Sequence, residues 1–280
     1  MDAKDVLSVV KEERIEVVRF WFTDILGRLK GFNITVDELE RGLEEGIGFD
    51  GSSVEGFVRI EESDLVATPD PNAFWVLPED LGGVRTAVLI CDIKYPDGRP
   101  FESDPRYVLR RNIERAKEMG FTYYVGPELE FFYFPSDKEP VPLDAGGYFD
   151  VLPLDNATRA RKETVLTLRK MGFRVEASHH EVAHSQHEID FRYADALRMA
   201  DTLQVAKVVV KEIARKHGLY ASFMPKPVFG INGSGLHVHQ SLFKGSENAF
   251  YSPNGEYNLS ETGKRYICLL YTSPSPRDRG

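Results

Sequence analysis

Apolar residues fall at Val6, Leu7 and Val10 within residues 2–13, which is one face of a short helix. Residues 15–22 are rich in β-branched and aromatic side chains, and Asp24-Ile25-Leu26-Gly27 turns them into a second β-type run over 28–34. Thr35-Val36-Asp37-Glu38 has the spacing of a capping box and predicts a helix reaching about Glu44. Residues 46–57 carry four glycines around an acidic, serine-containing centre and read as a loop. Residues 74–77 and 85–93 predict strands, and Tyr95-Pro96-Asp97-Gly98-Arg99-Pro100 is a strong turn signal placed as a domain boundary.

After that turn the period lengthens. Asp104-Pro105 pairs an N-cap with proline at the first helical position, and that helix stops near Gly120. Residues 121–134 are an aromatic strand. A helix is expected over 156–171, closed by Gly172, then a strand over 173–178. Residues 195–217 predict a long helix whose apolar stripe is Leu197, Leu203, Val208 and Ile213, ended by Gly218. A strand follows over 219–224. The chain then enters a glycine-rich loop with Gly230, Gly233 and Gly235 and the alternating run Leu236-His237-Val238-His239.

Charge and composition narrow the function classes. The 280 residues allow one or two domains with a sizeable core. A net charge of −9 without a basic stripe argues against a nucleic-acid partner. No apolar run is long enough to span a bilayer, and the start does not read as a signal peptide. Two cysteines, Cys91 and Cys268, cannot build a disulfide framework, which points to a reducing, cytoplasmic setting.

Three stretches carry chemistry. In Gly126-Pro127-Glu128-Leu129-Glu130, two carboxylates at i and i+2 of a strand share one face. Like charges that close repel, beside apolar surface they lose hydration, and a divalent cation relieves both problems. The alternative is a pair facing solvent on an edge strand. Residues 179–191 hold four histidines and three acids, without the cysteines of a zinc site. Carboxylates outweigh imidazoles there, which favours Mg2+ or Mn2+. In the glycine loop, flexible backbone, an amide, a hydroxyl and two imidazoles aimed together suit a small-molecule pocket; a tight hairpin with two exposed histidines fits the same letters.

Together these motifs resemble type I glutamine synthetase of the bacterial and archaeal kind. The resemblance rests on Phe49-Asp50-Gly51-Ser52-Ser53 and its continuation to Asp64, on Gly126 to Phe132, on His180-Glu181 with Glu188, and on the glycine loop, in that order. It runs from about residue 4 to about Tyr266. It implies an α+β fold: a small β-grasp domain over 1–100, then the amino-terminal part of a catalytic domain over 101–267, with a curved antiparallel sheet and helices. The implied reaction is ATP-dependent ligation of ammonia to L-glutamate through γ-glutamyl phosphate, with two or more Mg2+ or Mn2+ ions per site. One ion is expected on Glu130, Glu181 and Glu188. The other is expected on Glu128, His237 and a glutamate farther downstream. Glu176, Tyr193, His239 and Ser241 match ATP contacts, and Asn232 and Gly233 match the loop that binds glutamate. Asp50, with Ser53 nearby, matches the carboxylate that binds ammonium and takes its proton. Arg59 resembles a residue linked to feedback inhibition by glutamine in some members. The family builds homo-oligomers of two stacked hexameric rings in which the Asp50 loop completes a neighbour's site.

The resemblance has limits. His184-Ser185 stand where Pro-Gly is expected, which changes backbone freedom but not ligand spacing. Residues 268–280 have no counterpart and read as a non-native tail, translated sequencing-adapter sequence that is expected to be loosely placed. The sixth metal ligand and the phosphate-gripping arginines of the family lie beyond Ile267, so the chain as written is expected to be inactive. Two other readings remain: a glutamate–amine ligase using a larger amine, and a non-catalytic relative. The Asp50-Gly51-Ser52-Ser53 loop favours ammonia over the first, and the retained metal-ligand set argues against the second.

Overall fold

The computed structural model describes residues 1–54, 56, 63–78, 81 and 83–272. It contains two sheets. The first has five strands in the order β2-β1-β5-β4-β3, with β1 Val17–Thr23, β2 Leu29–Thr35, β3 Ile47–Asp50, β4 Asp64–Leu77 and β5 Thr86–Lys94. Only β1 and β5 run parallel; the other pairs are antiparallel. Helices α1 (Ala3–Glu12) and α2 (Leu39–Glu45) cover one face. Asp2 caps α1 in a reciprocal box with Asp5.

Strand β5 explains how this sheet is held. Ala87, Leu89, Cys91 and Ile93 point to the core shared with Val6, Val10 and Leu39, whereas Val88 and Ile90 point to a second core. Both faces are covered, so β5 reads as a continuous apolar run rather than an alternation. The second core joins Trp21, Trp75, Val88 and Ile90 to helix α5 (Ala196–Lys216) and to the second sheet.

That second sheet is antiparallel, in the order β12-β11-β6-β8-β7, with β9 and β10 also pairing to β6. Its strands are β6 Thr122–Phe134, β7 Val175–His180, β8 Gln186–Phe191, β9 Ala194–Asp195, β10 Tyr220–Ser222, β11 Leu236–Lys244 and β12 Glu247–Asn248. Leu129, Phe131 and Tyr133 of β6 pack towards α4 (Thr158–Lys170) and α5. Alternation then turns Glu128 and Glu130 to the opposite face. At the far end of that face Phe132 and Phe134 are buried with Ala183 under Val228 and Ile231, which leaves the Glu128–Glu130 end open. Helix α3 (Pro105–Glu118) starts at Asp104, whose side chain caps Arg106 N–H and accepts from Ile93 N–H.

Several sequence expectations need correction. The Thr35 box does not form: Val36–Glu38 is a single 3-10 turn, and Glu38 is taken by Arg41 at 2.7 and 2.9 Å. Residues 47–50, read as loop, form β3 against β4, from Ile47 opposite Ala67 to Asp50 opposite Asp64. Strand β4 is far longer than residues 74–77, because a register shift between Pro69 and Phe74 absorbs both prolines. On α5 the buried stripe is Met199, Val205, Ala206, Val209, Val210 and Ile213, while Leu197, Leu203 and Val208 are half-buried. Helix α6 (Glu261–Thr272) continues through Cys268, past the point where the sequence resemblance ends. Arg59 and residues 273–280 lie outside the described residues. Among the described residues no helix is long and apolar enough to cross a membrane.

Candidate active site

Register alone puts acids in rows across the open face. Glu130 on β6 is directly opposite Glu188 on β8, which is opposite His179 on β7. Two residues along, Asp190 faces Glu128, and Glu128 faces His237 on β11. Like charges directly opposite in a sheet destabilise it. Glu181 follows β7, and its N–H extends the ladder to Gln186 O at 2.8 Å.

Electrostatics follow from this crowding. Glu188 is 5% exposed, and burial pushes its carboxyl up to about 9, helped by hydrogen bonds and like charge from Asp190 and Glu181. Burial also raises Glu130, against a hydrogen bond from Gly235 and with the charge of Glu181 adding to it. Asp190 is raised by burial too. Glu128 is lowered, because His239 Nε2 lies 2.5 Å from one oxygen and His237 Nδ1 2.8 Å from the other. His237 is raised by the same contact. Facing carboxylates that can ionise together only at a cost, with two imidazoles at the rim, fit an oxygen-preferring divalent cation.

The glycine loop is tied into this cluster. Gln186 Nε2 donates to Glu130 Oε2 at 2.7 Å and to Gly233 O at 3.0 Å. Of the three glycines singled out in the sequence, Gly230 alone has positive φ, at 85°. Gly233 and Gly235 owe their place to space: a Cβ would lie 2.2 Å from Pro225 O at the first and 3.1 Å from Glu130 Oε1 at the second. Asn232 is exposed beside Gly233. Beyond Glu128 opens a cavity of about 440 Å3 lined by Gly126, Glu176, Asp190, Tyr193 and His239, among others. The β11 register puts Ser241 opposite Tyr124 on the same face, and Tyr124 meets Tyr193 edge to face.

Asp50 and Ser53 are not brought to this cluster. Asp50 ends β3 at the edge of the other sheet, exposed, and accepts from Ser52 N and Oγ at 2.9 and 2.6 Å, which lowers its carboxyl.

Residues 14–96 match the pattern of "Glutamine synthetase, beta-Grasp domain" and residues 102–272 that of "Glutamine synthetase, catalytic domain". The chain belongs to the glutamine synthetase family. It is 54% identical over 274 residues to the glutamine synthetase of Thermus thermophilus and 51% identical over 271 residues to that of Thermotoga maritima. Each alignment covers 95% of this chain but 61% and 62% of the relative, so the chain spans about three fifths of their length. Among solved structures, a GmaS/ADP complex superposes with a TM-score of 0.87 at 30% identity, covering 95% of this chain and 62% of that one. A Plasmodium falciparum glutamine synthetase superposes at 0.86 with 28% identity, covering 97% and 59%.

Within this cluster, the sequence assigns no role to His179, Gln186 or Asp190. Asp190 was open to discovery, since it stands at i+2 from Glu188 and must share its face. Gln186 carries no such signal, because its two acceptors come from segments more than forty residues away.

Proposed function

We propose that this chain carries the metal sites, the nucleotide site and part of the glutamate site of an ATP-dependent ligase that joins ammonia to L-glutamate. The observation that carries the reading is the pair of facing acid rows, Glu188–Glu130 and Asp190–Glu128–His237, beside the cavity of Glu176, Tyr193 and His239. Glu130, Glu181 and Glu188 would hold one divalent ion, and Glu128 with His237 would contribute to a second; Mg2+ and Mn2+ both suit the donors. Bound ions supply charge neutralisation where phosphate and carboxylate oxygens meet.

The chain's own groups position and exclude. Tyr193 offers a face for a base at one end of the cavity, and Glu176, His239 and Ser241 offer polar contacts. Asn232 and Gly233 would orient the amino acid so that its side-chain carboxylate oxygen meets the γ-phosphorus. Transfer forms that oxygen–phosphorus bond and releases ADP. Ammonia then attacks the acyl carbon, phosphate leaves with the bonding pair, and the extra ammonium proton passes to Asp50. Asp50 and Ser53 act from a neighbouring protomer in this reading; the exposure of Asp50 at a sheet edge supports that, as does the family's oligomeric build. The reading places the protein in the cytoplasm.

Calorimetry tests the binding half: the chain takes up Mn2+ and then ADP, and Glu130→Gln loses the first. Turnover is tested on the chain joined to the downstream part of the Thermus thermophilus relative, comparing ammonium with methylamine and a polyamine. Failure of the parent chain to bind Mn2+, or preference for a larger amine, sinks the reading.

A further inference from the structure

We propose that His180 is a positioning residue that sets the carboxylate of Glu181 through the peptide unit between Glu181 and Val182. The inference rests on the metal reading above and deepens it. His180 ends β7 and is 0% exposed. Its Nδ1 lies 2.7 Å from the backbone oxygen of Glu181, and its Nε2 lies 3.1 Å from Asp144 Oδ1. Both are acceptors, so both ring nitrogens donate.

The bond to Glu181 has a direct consequence for the metal cluster. The carbonyl it holds belongs to the same planar unit as the N–H of Val182. That N–H donates to Glu181 Oε2 at 2.6 Å. A ring anchored in the interior thus fixes the carbonyl, the planar unit carries the orientation across, and the amide hydrogen fixes the carboxylate. No side chain of the cluster itself is needed for this.

The ring is anchored firmly enough to do it. Asp144 also accepts from Ser185 N at 2.9 Å and, through its other oxygen, from Asn156 N at 3.1 Å. Phe149 N donates to His180 O at 3.0 Å, His184 Nδ1 lies 3.0 Å from Gly146 O, and Leu143 N donates to Ser185 Oγ. Gly146 lies against the ring: a Cβ there would be 2.7 Å from His180 Nε2 and 3.1 Å from two ring carbons. The φ of Gly146 is not in the left-handed region, so alanine meets the ring and not a backbone restriction.

A buried metal on Asp144, His180 and His187, whose donor atoms lie within 4.8 Å of one another, is the competing use of these residues. Arg161 donates to His187 Nδ1 at 2.8 Å, which leaves the proton on Nε2 and removes that nitrogen as a ligand.

The test is Mn2+ calorimetry on the full chain, with urea midpoints measured without metal. In His180→Asn the amide nitrogen falls near Nδ1 and keeps the bond to the Glu181 carbonyl. In His180→Gln it reaches the Nε2 position, keeps Asp144 and loses the carbonyl. We expect His180→Asn to bind Mn2+ within about threefold of the parent and His180→Gln to bind about tenfold or more weakly, the size typical for groups that orient a ligand. Gly146→Ala, which leaves every donor and acceptor present but displaces the ring, is expected to weaken binding likewise, and it carries the test if a His180 variant does not fold. Equal Mn2+ affinity in His180→Gln and the parent overturns the proposal. So does equal weakening in His180→Asn and His180→Gln, or unchanged affinity in Gly146→Ala. A parent chain that binds no Mn2+ overturns the metal reading first, and this inference with it.

Discussion

Replacing Glu188 with glutamine removes one titratable carboxyl from the most crowded point of the sheet without changing its shape. In the folded chain burial, Asp190 and Glu181 push this carboxyl from 4.5 to about 9. Above pH 4.5 the unfolded chain releases the proton and the folded chain keeps it. The folded state binds more protons across that window, so stability is fully present below the ordinary value and is lost as pH rises towards 9. Each pH unit in the window costs about 1.4 kcal/mol, so raising the pH from about 5 to about 8 costs up to about 4 kcal/mol, a large part of a typical domain's stability. Urea unfolding in EDTA at several pH values measures the slope. The parent is expected to weaken steadily, and Glu188→Gln to weaken less by close to that amount. Asp190 remains in both chains but shares a hydrogen bond with Glu188, so the difference in slope reports the Glu188–Asp190 pair. Added Mn2+ takes the place of the proton and flattens the parent's slope more than the variant's. Identical slopes for parent and variant in EDTA would falsify the account of Glu188 as a carboxyl squeezed by its neighbours.

Arg106 is 6% exposed on its side chain and bonds Asp201 at 2.9 Å, Asp70 at 2.7 Å and also Asp92, linking α3 to both β4–β5 and α5. Arg106→Met leaves Asp201 buried without its partner, while Arg110 still bonds Asp70 at 3.2 Å and Asp92 at 2.9 Å, and should cost about 3 kcal/mol in urea unfolding; a loss below about 1 kcal/mol would show the network to be dispensable. Ser185 sits at φ 65°, a conformation glycine holds without strain, yet its hydroxyl accepts the Leu143 N–H. The orphaned donor should outweigh the relieved strain, so Ser185→Gly is expected to destabilise by about 1 kcal/mol, and a gain in urea midpoint would reverse that order. Asp50→Asn should leave the urea midpoint nearly unmoved and Mn2+ affinity unchanged, since its bonds are to Ser52; a shift in Mn2+ affinity measured on the monomeric chain would place Asp50 in its own protomer's site.

Period-two alternation sufficed to put Glu128 and Glu130 on one face and His237 and His239 on one face, because side-chain direction in a strand is a local property. Asp104 was likewise legible as a cap, since a cap bonds within its own turn. The long helix was legible in extent but not in facing: Leu197, Leu203 and Val208 are as apolar as the residues that are buried, and only the position of the two sheets chose Met199, Val205 and Val209. Thr35-Val36-Asp37-Glu38 had the letters of a capping box, and Arg41 took the glutamate that would have closed it. Register is the larger lesson. That Glu130 faces Glu188, that Asp190 faces Glu128, and that Gln186 bridges Glu130 to Gly233 depend on strands far apart in the chain being paired at one offset. A one-residue slip of β8 against β6 would turn Glu188 and Asp190 into the core. The sequence by itself determined which residues could share a face; which of them meet, and how hard they press on one another, was decided by the packing of both sheets around α5.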